Sequence, residues 1–185
     1  MMAGWPINCR RAPLWWCPVP RRAERRPLAR AIAPALSLPL IAKDTIKQAV
    51  MTVLPVPDIQ TSRIVGAASV AALLAVAAET GGAVLESVWH RSRAVGNLHL
   101  LPANIVEVFC RCHQQIAARR YALRAGTRAA GHLAAERAIE ELWNDEVAQP
   151  VAGGWPVIEV STNSPVDVRP LTVRIRTAAS ATPRT

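Results

Sequence analysis

Apolar side chains recur at helical spacing through the middle of the chain and at strand spacing only near its end. Nine of the 15 prolines lie at or before Pro57 and five at or after Pro150, and only Pro102 falls between them. Proline removes a backbone donor and clashes inside a helix. The distribution therefore predicts a helical body between irregular ends.

Within that body, Asp44 or Thr45 caps a helix that carries Ile46, Ala49, Val50, Val53 and Leu54 on one face and stops at Pro55. Residues 64–78 form an uncharged, Ala-rich apolar run of 15 residues, ended by Glu79 and Gly81-Gly82. A bilayer span needs about 20, so the run reads as a buried central helix, with membrane insertion as the alternative. Val84, Leu85, Val88, Trp89 and Val95 share one side of a further helix, stopped at Gly96-Asn97. Pro102 starts another, on which Ile105, Val108, Phe109, Cys112, Ile116 and Leu123 form a stripe. Residues 127–147 supply the last, through Leu133, Ile139, Leu142, Trp143 and Val147. The tail changes period: Val157 to Val160, then Leu171, Val173 and Ile175 alternating with Thr172, Arg174 and Arg176, read as two strands. The expected fold is mainly α. It is a small bundle of about five helices in residues 44–149, with a short C-terminal β-hairpin in 150–185 and a disordered basic arm in 1–43.

Composition weakens the core this picture implies. Apolar residues make up 51% of the 185, but 33 residues are Ala, and Phe and Tyr occur once each beside six Trp. An Ala face buries little area, and burial stabilises by roughly 25 cal/mol per Å², so a marginal or partner-dependent fold is expected. Arg is written almost everywhere a base is needed; Lys43 and Lys47 are the only lysines. Such usage reflects G+C-rich codons. These proportions exclude a transmembrane transporter, a disulfide-dense scaffold and a collagen-like repeat.

Charge is unevenly placed. Residues 1–43 hold eight basic groups against Glu24, most of the net +9. Seven prolines and the mutual repulsion of Arg10, Arg11, Arg21, Arg22, Arg25, Arg26 and Arg30 keep this segment solvated. A cytoplasmic protein is expected, with organelle import through the basic N-terminus as the alternative.

Chemistry-bearing patterns are sparse. Cys110 and His113 in "FCRCH" are weak metal candidates, without the second pair a zinc site wants. His132, Glu136 and Glu140 form a helical row that suits acid–base work or a divalent metal, but charge pairing with Arg128 explains it equally. The chain has no G-x-x-x-x-G-K-[ST], no G-x-G-x-x-G, no G-x-S-x-G and no H-E-x-x-H. A P-loop nucleotidase is excluded on those grounds, and a Rossmann dinucleotide site has no support. No cofactor is implied.

Arginine is the remaining signal. Arg111, Arg119, Arg120, Arg124 and Arg128 crowd one helix and its exit, and Arg21, Arg22, Arg25 and Arg26 lie in the arm. Guanidinium forks suit phosphate oxygens, and Trp15-Trp16 could stack on bases. The reading adopted is a non-enzymatic, Arg-rich helical protein that binds an anionic partner such as nucleic acid without sequence specificity. The alternatives are a membrane-associated protein using residues 64–78, an enzyme using the His132 row, and a translated open reading frame with no selected function.

Overall fold

Among the described residues, five short strands, all parallel, form one sheet: β1 (Leu14–Trp16), β2 (Leu40–Ala42), β3 (Val84–Glu86), β4 (Ile105–Arg111) and β5 (Val157–Ser161). Their order across the sheet is β2-β3-β1-β4-β5. The computed structural model describes residues 14–16, 25–113, 115–117, 119–120 and 145–181. Helices bounded among them are α1 (Arg25–Leu36), α2 (Lys43–Met51), α3 (Ile59–Glu79), α4 (Arg91–His99), α5 (Asp145–Ala148) and α6 (Val168–Ala181), and residues 115–117 and 119–120 are also helical. A parallel pair cannot be joined by a tight turn, so each strand needs a crossover, and helices come to cover both faces of the sheet.

The burial pattern shows that layering. On one face α1 (Leu28, Ala29, Ile32, Ala33) and α6 (Leu171, Ile175) pack on Val84, Val106, Val108, Cys110, Ile158 and Val160. On the other, Leu73 and Ala77 of α3 and Ala94 and Leu98 of α4 pack with Leu85, Ile105, Val151 and Trp155. Val84 and Leu85 belong to opposite cores because neighbouring strand residues point to opposite faces.

The bundle-with-hairpin expectation is therefore corrected to a three-layer α/β fold. Three local reversals cause this. Residues 105–111 are a strand, not a helix: Ile105 through Cys110 are buried without a break, as expected of a central parallel strand covered on both sides. Such a run satisfies a helical stripe and a strand equally. Residues 84–86 likewise form β3, and the helix anticipated there starts only at Arg91. Conversely, Leu171 to Ile175 lie in α6, with Leu171, Thr172 and Ile175 buried on one face. Pro170 falls in its first turn, where proline is tolerated. Part of the expected disordered arm is ordered: β1 is the middle strand of the sheet and α1 a core helix. Helices at α2 and α3 and the strand at β5 agree with the sequence pattern.

Local sequence accounts for the element ends. α1 finishes in a left-handed residue, Ser37 (φ 59°), with Leu38 N–H donating to Ala33 O at 2.9 Å, the hydrogen bond of a Schellman C-cap. Asp58 caps α3 by accepting from Thr61 N–H at 2.7 Å. Glu146 closes the head of α4 from outside by accepting from Ser92 N–H at 2.8 Å. α3 is long and apolar enough by composition to cross a membrane, yet here it lays Ser62, Val65, Ser69, Leu73 and Ala77 inward along one stripe.

Candidate functional site

All strands run the same way, so their carboxyl ends share one edge of the sheet. The order reverses around β1: the chain first moves outward to β2, then crosses back to β4 and β5. Open α/β sheets bind ligands in the crevice that such a reversal leaves at the carboxyl edge.

The residues delivered to that edge are chemically distinct from the rest. β2 ends into Lys43 and Asp44, whose side chains are 3.5 Å apart and largely buried. Ala42 is in register with Glu86 at the end of β3, and Glu86 and Ser87 are both buried. Glu86 lies two residues after Val84, so it points to the same face of the sheet as α1. From the head of α1, Arg26 reaches across and donates through Nη2 to Thr45 Oγ1 at 2.8 Å. Its Nε is buried with no hydrogen-bond partner. One turn along α2, the buried Lys47 donates to Ser62 Oγ of α3 at 2.7 Å. Three cations (Arg26, Lys43, Lys47) thus stand against two carboxylates (Asp44, Glu86) at one end of the crevice.

The β4–β5 end is built differently. Arg111 makes a two-pronged contact with Glu159 and lies 5.5 Å from the Phe109 ring centroid. Each partner stabilises the charge of the other: the hydrogen bond from Arg111 lowers the pKa of Glu159, and that of Arg111 is raised. Arg120 donates to Thr162 O at 2.7 Å, Asn163 O at 3.2 Å and Cys112 Sγ at 3.7 Å. His113 N–H donates to Asn163 Oδ1 at 2.8 Å. These contacts tie the segment after β4 to the loop after β5.

Of the arginines singled out in the sequence, those among the described residues lie at β4, in the segment after it and at the start of α1. Arg111 and Arg120 are engaged with protein groups, and Arg119 is helical and exposed. Arg25 begins α1. Among the described arginines of the arm, Arg26 reaches the crevice end. Arg21, Arg22, Arg124 and Arg128 lie outside the described residues, as do His132, Glu136 and Glu140. Of the weak metal candidates, Cys110 is buried in β4 and disulfide-bonded, and His113 is exposed. Cys112 is a free thiol. Among the described residues no three His, Cys, Asp or Glu side chains gather as a metal site.

The sequence reading passed over Lys43, Asp44, Lys47 and Glu86 as site residues. One signal was present: both lysines of an Arg-rich chain fall within five residues, around an aspartate. The other was an apolar run, Ala83 to Leu85, ended by an acid.

No family model matches this chain, and no curated protein does. Solved structures match over nearly its whole length. A protein of Chloroflexus aurantiacus J-10-fl, named provisionally as a kinase, is 22% identical with a TM-score of 0.75, covering 91% of this chain and 95% of its own. A gluconokinase from Sinorhizobium meliloti 1021 is 17% identical with a TM-score of 0.61, covering 94% and 95%. The APS kinase of Mycobacterium tuberculosis, solved with AMPPNP and APS, is 14% identical with a TM-score of 0.58, covering 93% and 99%. The chain therefore has the P-loop NTPase-like α/β fold of these kinases.

That fold overturns the non-enzymatic, helical nucleic-acid binder, together with the nucleic-acid or polyanion partner. The helix that was to display its Arg rim is β4. α3, the helix on which the membrane-associated alternative rested, packs its inner stripe within this fold. The missing G-x-x-x-x-G-K-[ST] had excluded a P-loop nucleotidase. The motif is indeed missing, yet the architecture stands without it.

Proposed function

We propose that this chain is a nucleotide-binding phosphotransferase of the kinase type, which moves a phosphoryl group to a hydroxyl of a small molecule held beside α2 and α3. The observation that carries this reading is the placement of Arg26, Lys43, Asp44 and Glu86 at the carboxyl edge of a parallel sheet whose fold is similar to that of solved kinases. Phosphoryl transfer asks mainly for positioning and for cations around the phosphate oxygens, and three cations stand at that edge. A carboxylate within reach of the acceptor hydroxyl takes its proton, a task that falls to Asp44. Magnesium, held through one or two carboxylates and the substrate phosphates, would use Glu86 and would neutralise charge on those phosphates.

A second reading is favoured by one specific feature. Residues 17–24, between β1 and α1, read CPVPRRAE, without Gly or Lys. The usual phosphate loop uses glycine backbone to wrap the phosphates and a lysine to reach them. A chain lacking both could bind nucleotide without transferring phosphate. The two readings separate by experiment. Titration calorimetry with Mg-ATP measures binding, and phosphorus NMR with a panel of polyhydroxy acceptors measures transfer. The kinase reading expects binding in the first and a new phosphomonoester in the second. Binding without transfer leaves the second reading; no binding of any nucleoside phosphate sinks both. Asp44→Asn is expected to keep nucleotide affinity and lose at least 100-fold in turnover.

A further inference from the structure

We propose that Cys110 is joined to Cys17, and that this bond is a redox-sensitive tie between the exit of β1 and β4, so that thiols loosen the middle strand of the sheet. The inference concerns how the chain is cross-linked and does not rest on the kinase reading.

The protein has four cysteines, at positions 9, 17, 110 and 112. Cys112 is a free thiol, whereas Cys110 is disulfide-bonded. Its partner is therefore Cys9 or Cys17, both of which lie outside the described residues. Strand register separates the two. β1 and β4 run parallel with Leu14 beside Ile105 and Trp16 beside Glu107. Cys17 follows Trp16 directly and Cys110 lies three residues beyond Glu107. The two are thus offset by about two residue rises, roughly 7 Å, close to the Cα separation of about 4.4–6.8 Å that a disulfide spans. Cys9 precedes Leu14 by five residues, and Cys110 follows Ile105 by five in the opposite direction. To reach it, the chain before β1 would have to double back along the whole strand, although β3 and β4 already occupy both of its flanks.

The bond bears on an element with little else to hold it. β1 has three residues, and its neighbour across the bond is the seven-residue β4, buried without a break from Ile105 to Cys110. The cross-link joins residues 93 apart in the chain, and closing so long a loop restricts the unfolded chain strongly. Cys110 itself is 1% exposed, in the core shared with α1. An incoming thiolate therefore attacks the Cys17 sulfur. A mixed disulfide forms there, the bond to Cys110 breaks, and Cys110 leaves as the thiolate and takes up a proton. A second small thiol displaces the first as a small-molecule disulfide and leaves Cys17 as a thiol. Two electrons pass from two thiols to the protein bond.

The test uses the full-length chain, purified without reductant and alkylated with iodoacetamide before digestion. Trypsin separates all four cysteines, into residues 1–10, 12–21, 94–111 and 112–119. Mass spectrometry is expected to find 12–21 joined to 94–111, and 112–119 alkylated. Dithiothreitol is expected to abolish the joined species, to lower Tm by about 10 °C, and to speed limited cleavage of the native chain after Arg21 and Arg22 at least tenfold. Cys9→Ser and Cys112→Ser are expected to respond to dithiothreitol as the wild type does. Cys17→Ser is expected to melt as the reduced wild type and to ignore the reagent. A peptide 1–10 joined to 94–111, or alkylation of all four cysteines, overturns the assignment of Cys17. The joined species with Tm and cleavage unchanged by dithiothreitol overturns the redox control. Should Cys17→Ser fail to fold, the peptide map and the response of Cys9→Ser carry the decision.

Discussion

Glu107 shows how much a single side chain holds in this fold. It sits in the middle of β4, fully buried, and accepts from Val151 N–H at 2.8 Å, Ala152 N–H at 2.9 Å and Trp155 Nε1–H at 3.0 Å. Those bonds hold the turn leading into β5, where Ala152 takes a left-handed conformation (φ 47°). Gly153 admits the Trp155 ring: a Cβ there would stand 2.4 Å from it. Glu107→Ala leaves two buried donors and one partly buried donor without an acceptor and is expected to cost about 3 kcal/mol in urea unfolding. Glu107→Gln turns an N–H onto an N–H and is expected to recover only part of that. Ser37 offers the opposite sign. Relief of its left-handed backbone by Ser37→Gly is expected to raise stability by about 1 kcal/mol; a loss there would show that the α1 cap is misdescribed.

At the scale of elements, α3 owes its start to Asp58. The Thr61 backbone N–H donates to the carboxylate and lowers its pKa below the usual aspartate range. A depressed folded pKa means a contribution that is complete above the unfolded value and lost as the pH falls through the folded one. Asp58→Ala is therefore expected to lower Tm near neutrality, with the gap to wild type closing as both are melted down to about pH 2. Asp58→Asn, which still caps, is expected to stay close to wild type near neutrality. The inner stripe of the same helix carries its packing: Leu73, wholly buried in the second core, is expected to cost about 2–5 kcal/mol as Leu73→Ala. Exposed Ala72, one residue away, is expected to tolerate Ala72→Ser with little change. α2 was legible because its polar face exposes its period, and α3 because its apolar run is too long for a strand. β4 was not, because burial on both sides removes the polar positions that would have told period two from period 3.6.

For the whole molecule, the consequential reassignment concerns the first 43 residues. Their prolines and arginines read as a solvated arm, whereas β1 and β2 fall within them and β1 pairs with both β3 and β4. An arm is dispensable, but a middle strand is not. Deleting residues 1–16 is expected to abolish cooperative thermal unfolding; a truncated chain that melts as sharply as the full one would remove β1 from the sheet. The candidate site was hidden for a related reason. Arg26, Lys43 and Glu86 are separated by tens of residues, and no local spacing announces their meeting. Parallel pairing brings them together, because it sends every carboxyl end to one edge.

By itself, the sequence determined the helices with one wet face, the strand at β5, the missing phosphate-loop motif and the uneven distribution of charge. Each of these is a local property, written in neighbours along the chain. Tertiary structure decided the rest: that apolar runs at 84–86 and 105–111 are strands, that 168–181 is a helix, and that a basic, proline-rich beginning contributes the sheet's middle strand. Those choices turn on which surfaces cover a segment, and burial between two helical layers is a relation among distant residues that no window along the chain contains.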